Sequence, residues 1–160
     1  CIWDSLAICE YANDNFCDGA LWPRDAHSRG LGRAMAAEMH SGFHQLRSKL
    51  PMNCRARNRY VPIDDALQAD IDRVFSLWGD SLVSHADVGP WLLGRYSIAD
   101  AMFAPVVIRF LNYGVTLPVD IVPYCEHVLS DPDLIAWCEK AQREEWIVEA
   151  DEAGIERDDG

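Results

Sequence analysis

Two polar residues at the start of a helical pattern, Asp4 and Ser5, are the best candidates for chemistry in this sequence. The residues that follow, to about Asn13, have the apolar spacing of a short helix. A helix that begins at Asp4 and Ser5 presents unpaired backbone N–H groups and the positive end of its dipole, and both favour a bound carboxylate. The same two residues also form an ordinary helix N-cap, which needs no ligand. The residues alone therefore leave a carboxylate site and a simple cap as alternatives.

Cysteine and histidine raise the question of a disulfide framework or a metal site. None of the six cysteines forms a C-x-x-C pair; they are Cys1, Cys9, Cys17, Cys54, Cys125 and Cys138. We interpret them as reduced thiols, and we expect no zinc site because no Cys/His pair has ligand spacing backed by a second pair. His40 and His44 are four residues apart, but no acidic residue lies one turn away. We therefore predict that no metal is bound.

Helical spacing dominates the rest of the chain, and it predicts an all-α fold. The predicted helices run from about Ala26 to Leu50, from about Ile63 to Leu82, from Ser97 to about Leu111, from about Val119 to Leu129 and from Pro132 to Arg143. Glycine and proline between Phe16 and Pro23 predict a linker, and Pro51 is expected to end the first long helix.

The third of these helices is the most informative. Ser97-Ile98-Ala99-Asp100 has the form of an N-terminal capping box, in which the acidic side chain accepts from the Ser97 amide and the Ser97 hydroxyl accepts from the third N–H. The stretch from Ala101 to Leu111 is apolar on every side except at Arg109. We therefore expect this helix to be the buried centre of the domain.

Composition and charge limit the possible partners. The 160 residues are 49% hydrophobic and 25% charged, which is typical of one soluble globular domain, and 14 basic against 26 acidic side chains give a net charge of −12. Such a charge repels phosphates, so we expect no nucleic acid partner. No apolar run approaches the roughly 20 residues of a membrane span, and the first residues do not resemble a signal peptide. We expect a cytoplasmic protein with no membrane partner.

Two segments depart from the average charge. Residues 39–63 contain five basic side chains and no acidic one, which favours a solvated loop that pairs with acidic neighbours over an anion-binding role. Residues 144–160 contain eight acidic residues and one basic residue, Arg157. This pattern predicts a mostly solvated tail, anchored if at all by Trp146 and Ile147.

Three short segments, in this order, resemble the glutathione S-transferase superfamily, and the bacterial type in particular. Residues 3–11 resemble the acidic-Ser-x-Ala-Ile motif at the end of its thioredoxin-like domain, Leu21-Trp22-Pro23 resembles the inter-domain linker, and residues 91–100 match its Gly-x-x-Ser/Thr-x-Ala-Asp element. Residues 39–43 add a further similarity to bacterial members. The resemblance implies a remnant of an α/β thioredoxin-like domain at 1–20, an all-helical C-terminal domain at 21–147 and an acidic tail at 148–160.

The resemblance also implies ligand roles. Ser5 would donate its hydroxyl and amide to the γ-glutamyl carboxylate of glutathione, and Asp4 would accept from the γ-glutamyl ammonium. In this superfamily the electrophile lies between the two domains, and the candidate wall residues here are His40, Phe43, Arg109 and Tyr113. Phe43 is equally well explained as a core residue, His40 as a surface residue and Arg109 as a structural ion partner.

The implied activity is that of a glutathione transferase, in which the activated glutathione thiol attacks a small hydrophobic electrophile. The family activates this thiol with a Tyr, Ser or Cys near the start of the thioredoxin-like domain, so the catalytic residue is unknown here and we expect the present chain to be inactive alone. The resemblance further implies glutathione as cosubstrate, no metal, a homodimer and exposed apolar surface where the thioredoxin-like domain packs. Alternatives are a non-catalytic binding or regulatory protein of the same fold and a maleylacetoacetate-isomerase-like enzyme.

Overall fold

A computed structural model describes residues 1–156, and this part of the chain is mostly helical, which confirms the predicted all-α class. Its helices are α1 (Ser5–Phe16), α2 (Ala26–Ser41), α3 (His44–Lys49), α4 (Asp65–His85), α5 (Ile98–Asn112), α6 (Val122–Leu129) and α7 (Pro132–Gln142). Two strands of two residues each, β1 (Arg59–Tyr60) and β2 (Ile155–Glu156), pair antiparallel, and a 3₁₀ turn spans Glu149–Asp151. Within the described part, none of the helices is both long and apolar enough to cross a membrane.

The chain divides into two compact units. The first contains Cys1–Gly42 and Leu77–Phe103, and the second contains Phe43–Ser76 and the chain from Ala104 onward. Helices α4 and α5 contribute residues to both.

The core of the first unit forms around aromatic side chains. Trp78 and Phe103 are fully buried, and their rings meet edge to face with centroids 5.6 Å apart. Gly32 of α2 lies against this core, where an added Cβ would be 2.5 Å from Leu93 Cδ1 and 2.9 Å from the ring of Trp22. Glycine is therefore needed at position 32 because two elements approach too closely for a side chain.

The capping box at the start of α5 is built around the Asp100 carboxylate. The Asp100 carboxylate accepts from the Ser97 amide at 2.9 Å, as predicted, and it also accepts from the Leu92 amide at 3.0 Å. The Ser97 hydroxyl donates to the same carboxylate at 2.8 Å. Both Ser97 and Asp100 are buried, and Asp100 thereby joins α5 to the preceding loop.

The prediction of one helix from Ala26 to Leu50 was wrong, because the backbone leaves the helix after Ser41 and two helices form instead. The helix ends at Ser41, Gly42 is extended, and Phe43 has a left-handed backbone with φ of 55° before α3 begins. The first turn of α3 receives its cap from another element, since the Leu46 amide donates to Asp70 of α4 at 3.0 Å.

The core of the second unit is apolar. Its buried apolar residues include Leu46, Leu50, Leu67, Ile71, Val74, Val106, Val107, Phe110, Ile121 and Tyr124.

Basic side chains of residues 39–63 pair with acidic residues, as the composition of this segment predicts. Lys49 forms an ion pair with Asp64, and Arg59 forms one with Glu152 at 2.9 Å. Arg57, which is exposed, donates from Nη1 to Oδ1 of the buried Asn112 at 2.9 Å.

The predicted anchor of the acidic tail was wrong for the residues that the structure describes. Trp146 is 83% exposed and Ile147 is 66% exposed, so neither side chain anchors the tail. The tail is held instead by polar contacts: Arg55 donates to the carbonyls of Glu144 and Trp146, each at 2.9 Å, and β2 pairs with β1. The predicted tail continues to Gly160, and residues 157–160 lie outside the described part.

Candidate functional site

The candidate carboxylate site lies at the N-terminus of α1. Asp4 is the N-cap, and its Oδ1 accepts from the Leu6 amide at 3.0 Å. Its backbone has φ of 76° and ψ of 128°, which is a rare and strained conformation for a residue other than glycine. Ser5 is the first helical residue and is exposed. Because Asp4 caps the helix, the Ser5 hydroxyl is not needed for that task.

His40, which was predicted as a wall of the electrophile site, lies beside Asp4. Its Nε2 is 3.1 Å from Asp4 Oδ2, and the two side chains are 38% and 42% exposed. His40 belongs to the last turn of α2. The Asp4 carboxylate therefore has one oxygen directed to the helix amide and the other to an imidazole. The sequence carried no signal for this pairing, because the two residues are far apart along the chain and share no motif.

The other three predicted wall residues belong to the second unit and are packed within it. Phe43 and Tyr113 are buried, and the Tyr113 hydroxyl donates to the Pro51 carbonyl at 3.2 Å. Arg109 Nε donates to the Leu50 carbonyl at 2.8 Å. The structure thus brings Arg109 and Tyr113 to neighbouring carbonyls at the end of α3.

Burial changes the acid–base properties of these two groups. It lowers the pKa of Arg109 to about 10, with a smaller effect in the same direction from the charge of Arg47, so the guanidinium is still protonated at neutral pH. Burial raises the pKa of Tyr113, and the nearby charges of Arg59 and Arg109 oppose that rise. Neither group is thereby turned into a base near pH 7.

A cavity of about 740 Å³ in the first unit was missed by the sequence analysis. Its polar lining includes Arg24, Asp25, Ser28, His85 and Arg95. His85 is held in place, since its Nδ1 lies 2.8 Å from the Ser81 carbonyl and its Nε2 lies 3.2 Å from Ser28 Oγ. These residues come from separate segments without a shared spacing, so no linear motif marks them.

The surface of α1 is partly apolar. Ile8, Tyr11 and Phe16 are exposed, and Trp3 before the helix is exposed as well. That a thioredoxin-like part packs against this surface stays a prediction. Among the described residues, no group of three or more His, Cys, Asp and Glu side chains is arranged to hold a metal ion.

Two curated plant proteins are similar to the chain in sequence, whereas no protein-family model matches it. Protein IN2-1 of Zea mays is 27% identical over 110 residues, which are 69% of this chain and 40% of that protein. Glutathione S-transferase L1 of Arabidopsis thaliana is 24% identical over 140 residues, which are 88% of this chain and 52% of that protein. The chain spans about half the length of these relatives or less.

Solved structures decide the fold. A glutathione transferase homolog from Burkholderia, with bound glutathione, superposes with a TM-score of 0.64 at 24% identity, covering 90% of this chain and 69% of that one. The Tau class glutathione S-transferase of mango, Mangifera indica, gives a TM-score of 0.60 at 19% identity, covering 88% and 68%. The fold is that of the glutathione transferases. The resemblance predicted from residues 3–11, 21–23 and 91–100 is thus confirmed at the level of the fold, and the mostly helical content of the described part matches the helical C-terminal domain of that fold.

Proposed function

We propose that this chain is part of a glutathione transferase and that Asp4 and Ser5 bind the γ-glutamyl end of glutathione. The observation that carries the proposal is the geometry at the start of α1, where a strained Asp4 caps the helix and leaves Ser5 exposed. Strained backbone persists where the surrounding structure holds it, and it is concentrated at functional sites. The likeness to a transferase homolog solved with glutathione supports the choice of ligand.

The chemistry of binding follows from the charges of the ligand. A γ-glutamyl group carries one carboxylate and one ammonium, so it needs a donor and an acceptor side by side. The Ser5 hydroxyl and the first amides of α1 would donate to the carboxylate, aided by the helix dipole. The Asp4 carboxylate would accept from the ammonium, and His40, 3.1 Å from Asp4 Oδ2, would stand next to that contact. His40 would then orient the Asp4 side chain.

The reaction proposed for the whole protein is nucleophilic attack by the glutathione thiolate. The sulfur forms a bond with the electrophilic carbon of a small hydrophobic substrate, and the leaving group departs with the bonding electrons. A residue in the thioredoxin-like part would lower the thiol pKa so that thiolate is present near pH 7. We propose that residues 1–20 end that part, that 21–147 form the helical domain and that 148–160 form its acidic tail.

Further properties belong to the same proposal. The protein is proposed to be a cytoplasmic homodimer that detoxifies electrophiles, with glutathione as cosubstrate and no metal. His40 is proposed to border the electrophile. The roles of Phe43, Arg109 and Tyr113 toward that substrate stay predictions, since their contacts in the second unit are with their own packing neighbours.

The test compares glutathione binding and conjugation of an aryl halide by the full-length protein and by its Ser5→Ala variant. Hydrogen bonds to charged groups contribute about 1.5–3 kcal/mol, so Ser5→Ala is expected to weaken glutathione binding by roughly tenfold to a hundredfold. The thermal unfolding temperature should hardly change, because Asp4 and not Ser5 caps α1. This separation distinguishes a ligand contact from a structural one.

Asp14→Asn is the matched control for Asp4→Asn. Asp14 is an exposed acid on the same helix, away from its N-terminus. Asp4→Asn should weaken glutathione binding, whereas Asp14→Asn should leave it unchanged. If the full-length protein neither binds glutathione nor turns over the aryl halide, the transferase proposal fails and a non-catalytic binding role of the same fold takes its place.

A further inference from the structure

Two cysteines of the second unit face each other. The Sγ atoms of Cys54 and Cys138 are 4.0 Å apart, although 84 positions separate them in sequence. Cys54 lies in the loop between α3 and β1, and Cys138 lies on α7. Both are free, half-buried thiols. A disulfide has an S–S distance of about 2.05 Å, so the two sulfurs need to approach by roughly 2 Å to form one.

The surroundings favour this approach. The loop on either side of Cys54 is fixed, because Asn53 Nδ2 donates to Glu152 at 2.8 Å and Arg55 donates to two carbonyls beyond α7. Helix α7 is at the periphery, since none of its residues is buried. Cys54 also borders a cavity of about 350 Å³ that is lined in part by Trp137. Helix α7 therefore has room to shift toward a loop that is held in place.

We propose that Cys54 and Cys138 are a thiol pair that forms a reversible intramolecular disulfide by exchange with a small disulfide such as glutathione disulfide. The site would join α7 to the loop after α3. This proposal does not depend on the transferase activity proposed above, because any small disulfide of the surrounding medium is a sufficient oxidant.

The exchange has two steps. In the first, the Cys138 thiol loses its proton to solvent, and its thiolate attacks one sulfur of glutathione disulfide, forming a mixed disulfide and releasing one glutathione thiolate. In the second, the Cys54 thiolate attacks the Cys138 sulfur of the mixed disulfide and expels the second glutathione. Two protein thiols are oxidised, one glutathione disulfide is reduced to two glutathione molecules, and the released thiolates take up the two protons.

The electrostatic surroundings set the rate of the second step. Burial raises the pKa of Cys54 to about 11, and Cys138 and the carboxylate of Glu144 act in the same direction, whereas Arg57 opposes them. Burial, the largest of these causes, remains when Cys138 is in the mixed disulfide, and the thiolate is the attacking form. Ring closure should therefore be slow at pH 7 and should accelerate by up to about tenfold per pH unit to pH 9. A slow, pH-dependent closure distinguishes this pair from a reactive catalytic cysteine.

The experiment treats the full-length protein with glutathione disulfide at pH 7, 8 and 9, blocks free thiols with iodoacetamide and maps disulfides by mass spectrometry. Trypsin releases residues 50–55, which contain Cys54, and a second protease that cleaves after Glu126 separates Cys125 from Cys138. A cross-link between fragments 50–55 and 127–139 that disappears on reduction is the expected product. Glutathione adducts on both cysteines without the cross-link, or a link of Cys54 to another cysteine, would overturn the proposal.

Single serine variants test the order of the steps. In Cys54→Ser, the mixed disulfide between Cys138 and glutathione should accumulate because no thiol remains to displace it. In Cys138→Ser, the adduct on Cys54 should form more slowly than the adduct on Cys138 does in Cys54→Ser. Cys17→Ser is the control, and it should leave the amount and rate of the cross-link unchanged. Equal adduct formation on both cysteines would contradict the assignment of Cys138 as the first nucleophile.

Discussion

Replacement of Asp100 by alanine is predicted to be among the most destabilising single changes in the first unit. The buried carboxylate accepts from the backbone amides of Leu92 and Ser97 and from the Ser97 hydroxyl, at 2.8 to 3.0 Å. A buried donor left without a partner costs about 1–3 kcal/mol. Loss of the two amide partners alone should therefore lower the free energy of unfolding by about 4 kcal/mol. For a chain of 160 residues this corresponds to a fall in Tm of roughly 8–16 °C.

The assay is urea unfolding followed by tryptophan fluorescence and by far-ultraviolet circular dichroism, with Asp131→Ala as the matched variant. Asp131 also accepts from two backbone amides, those of Asp133 and Leu134, but at a helix start that is not fully buried. Its replacement should cost only about 1 kcal/mol, the usual value for an N-cap. The reasoning is refuted if the two variants lose the same stability, because burial of the Asp100 network would then contribute nothing.

Three further changes have defined expectations. Gly32→Ala should lower the free energy of unfolding by about 1–3 kcal/mol, since the new Cβ would lie 2.5 Å from Leu93 Cδ1. Alanine has the better helix propensity, so a rise in Tm would show that propensity outweighs the steric conflict and would contradict this prediction. Burial raises the pKa of Cys125 to about 12. Its alkylation by iodoacetamide at pH 8 should therefore be about a thousandfold slower in the folded protein than in urea, because less thiolate is present. Mass spectrometry of the alkylated fraction over time measures this rate. Closing the Cys54–Cys138 loop should raise Tm by at most roughly 8–20 °C, because cross-linking a loop of this length stabilises by at most about 4–5 kcal/mol in the chain-entropy model. Calorimetry of oxidised and reduced samples measures this difference in Tm.

The helices with strong apolar periodicity could be predicted from sequence, and the break between α2 and α3 shows the limit of that method. The apolar positions Met39, Phe43 and Leu46 keep helical spacing across the break, and all three are buried. Periodicity therefore gave no sign that the backbone leaves the helix between them. Gly42 was the available signal, because glycine often ends a helix and here the chain is extended at that residue.

The candidate site was predictable only in its local part. The capping role of Asp4 follows from residues next to it in sequence, and the Asp100 network follows largely from a four-residue motif. The contact of His40 with Asp4 depends on how α1 and α2 pack, and no local pattern encodes it. The same holds for Cys54 and Cys138, which belong to different elements and have no common motif.

The polar contacts between the loop after α3 and residues 144–156 have a consequence for how the protein is made. Asn53, Arg55 and Arg59 find partners about 90 positions further along the chain. During synthesis the side-chain N–H groups of this loop therefore stay hydrated until α4 to α7 and the residues after them have emerged from the ribosome. We expect the loop to be the last part of the second unit to become protected from proteases on a translating ribosome. Contacts of such long sequence separation also slow folding, because the entropy of closing the long loop is lost before the contacts form.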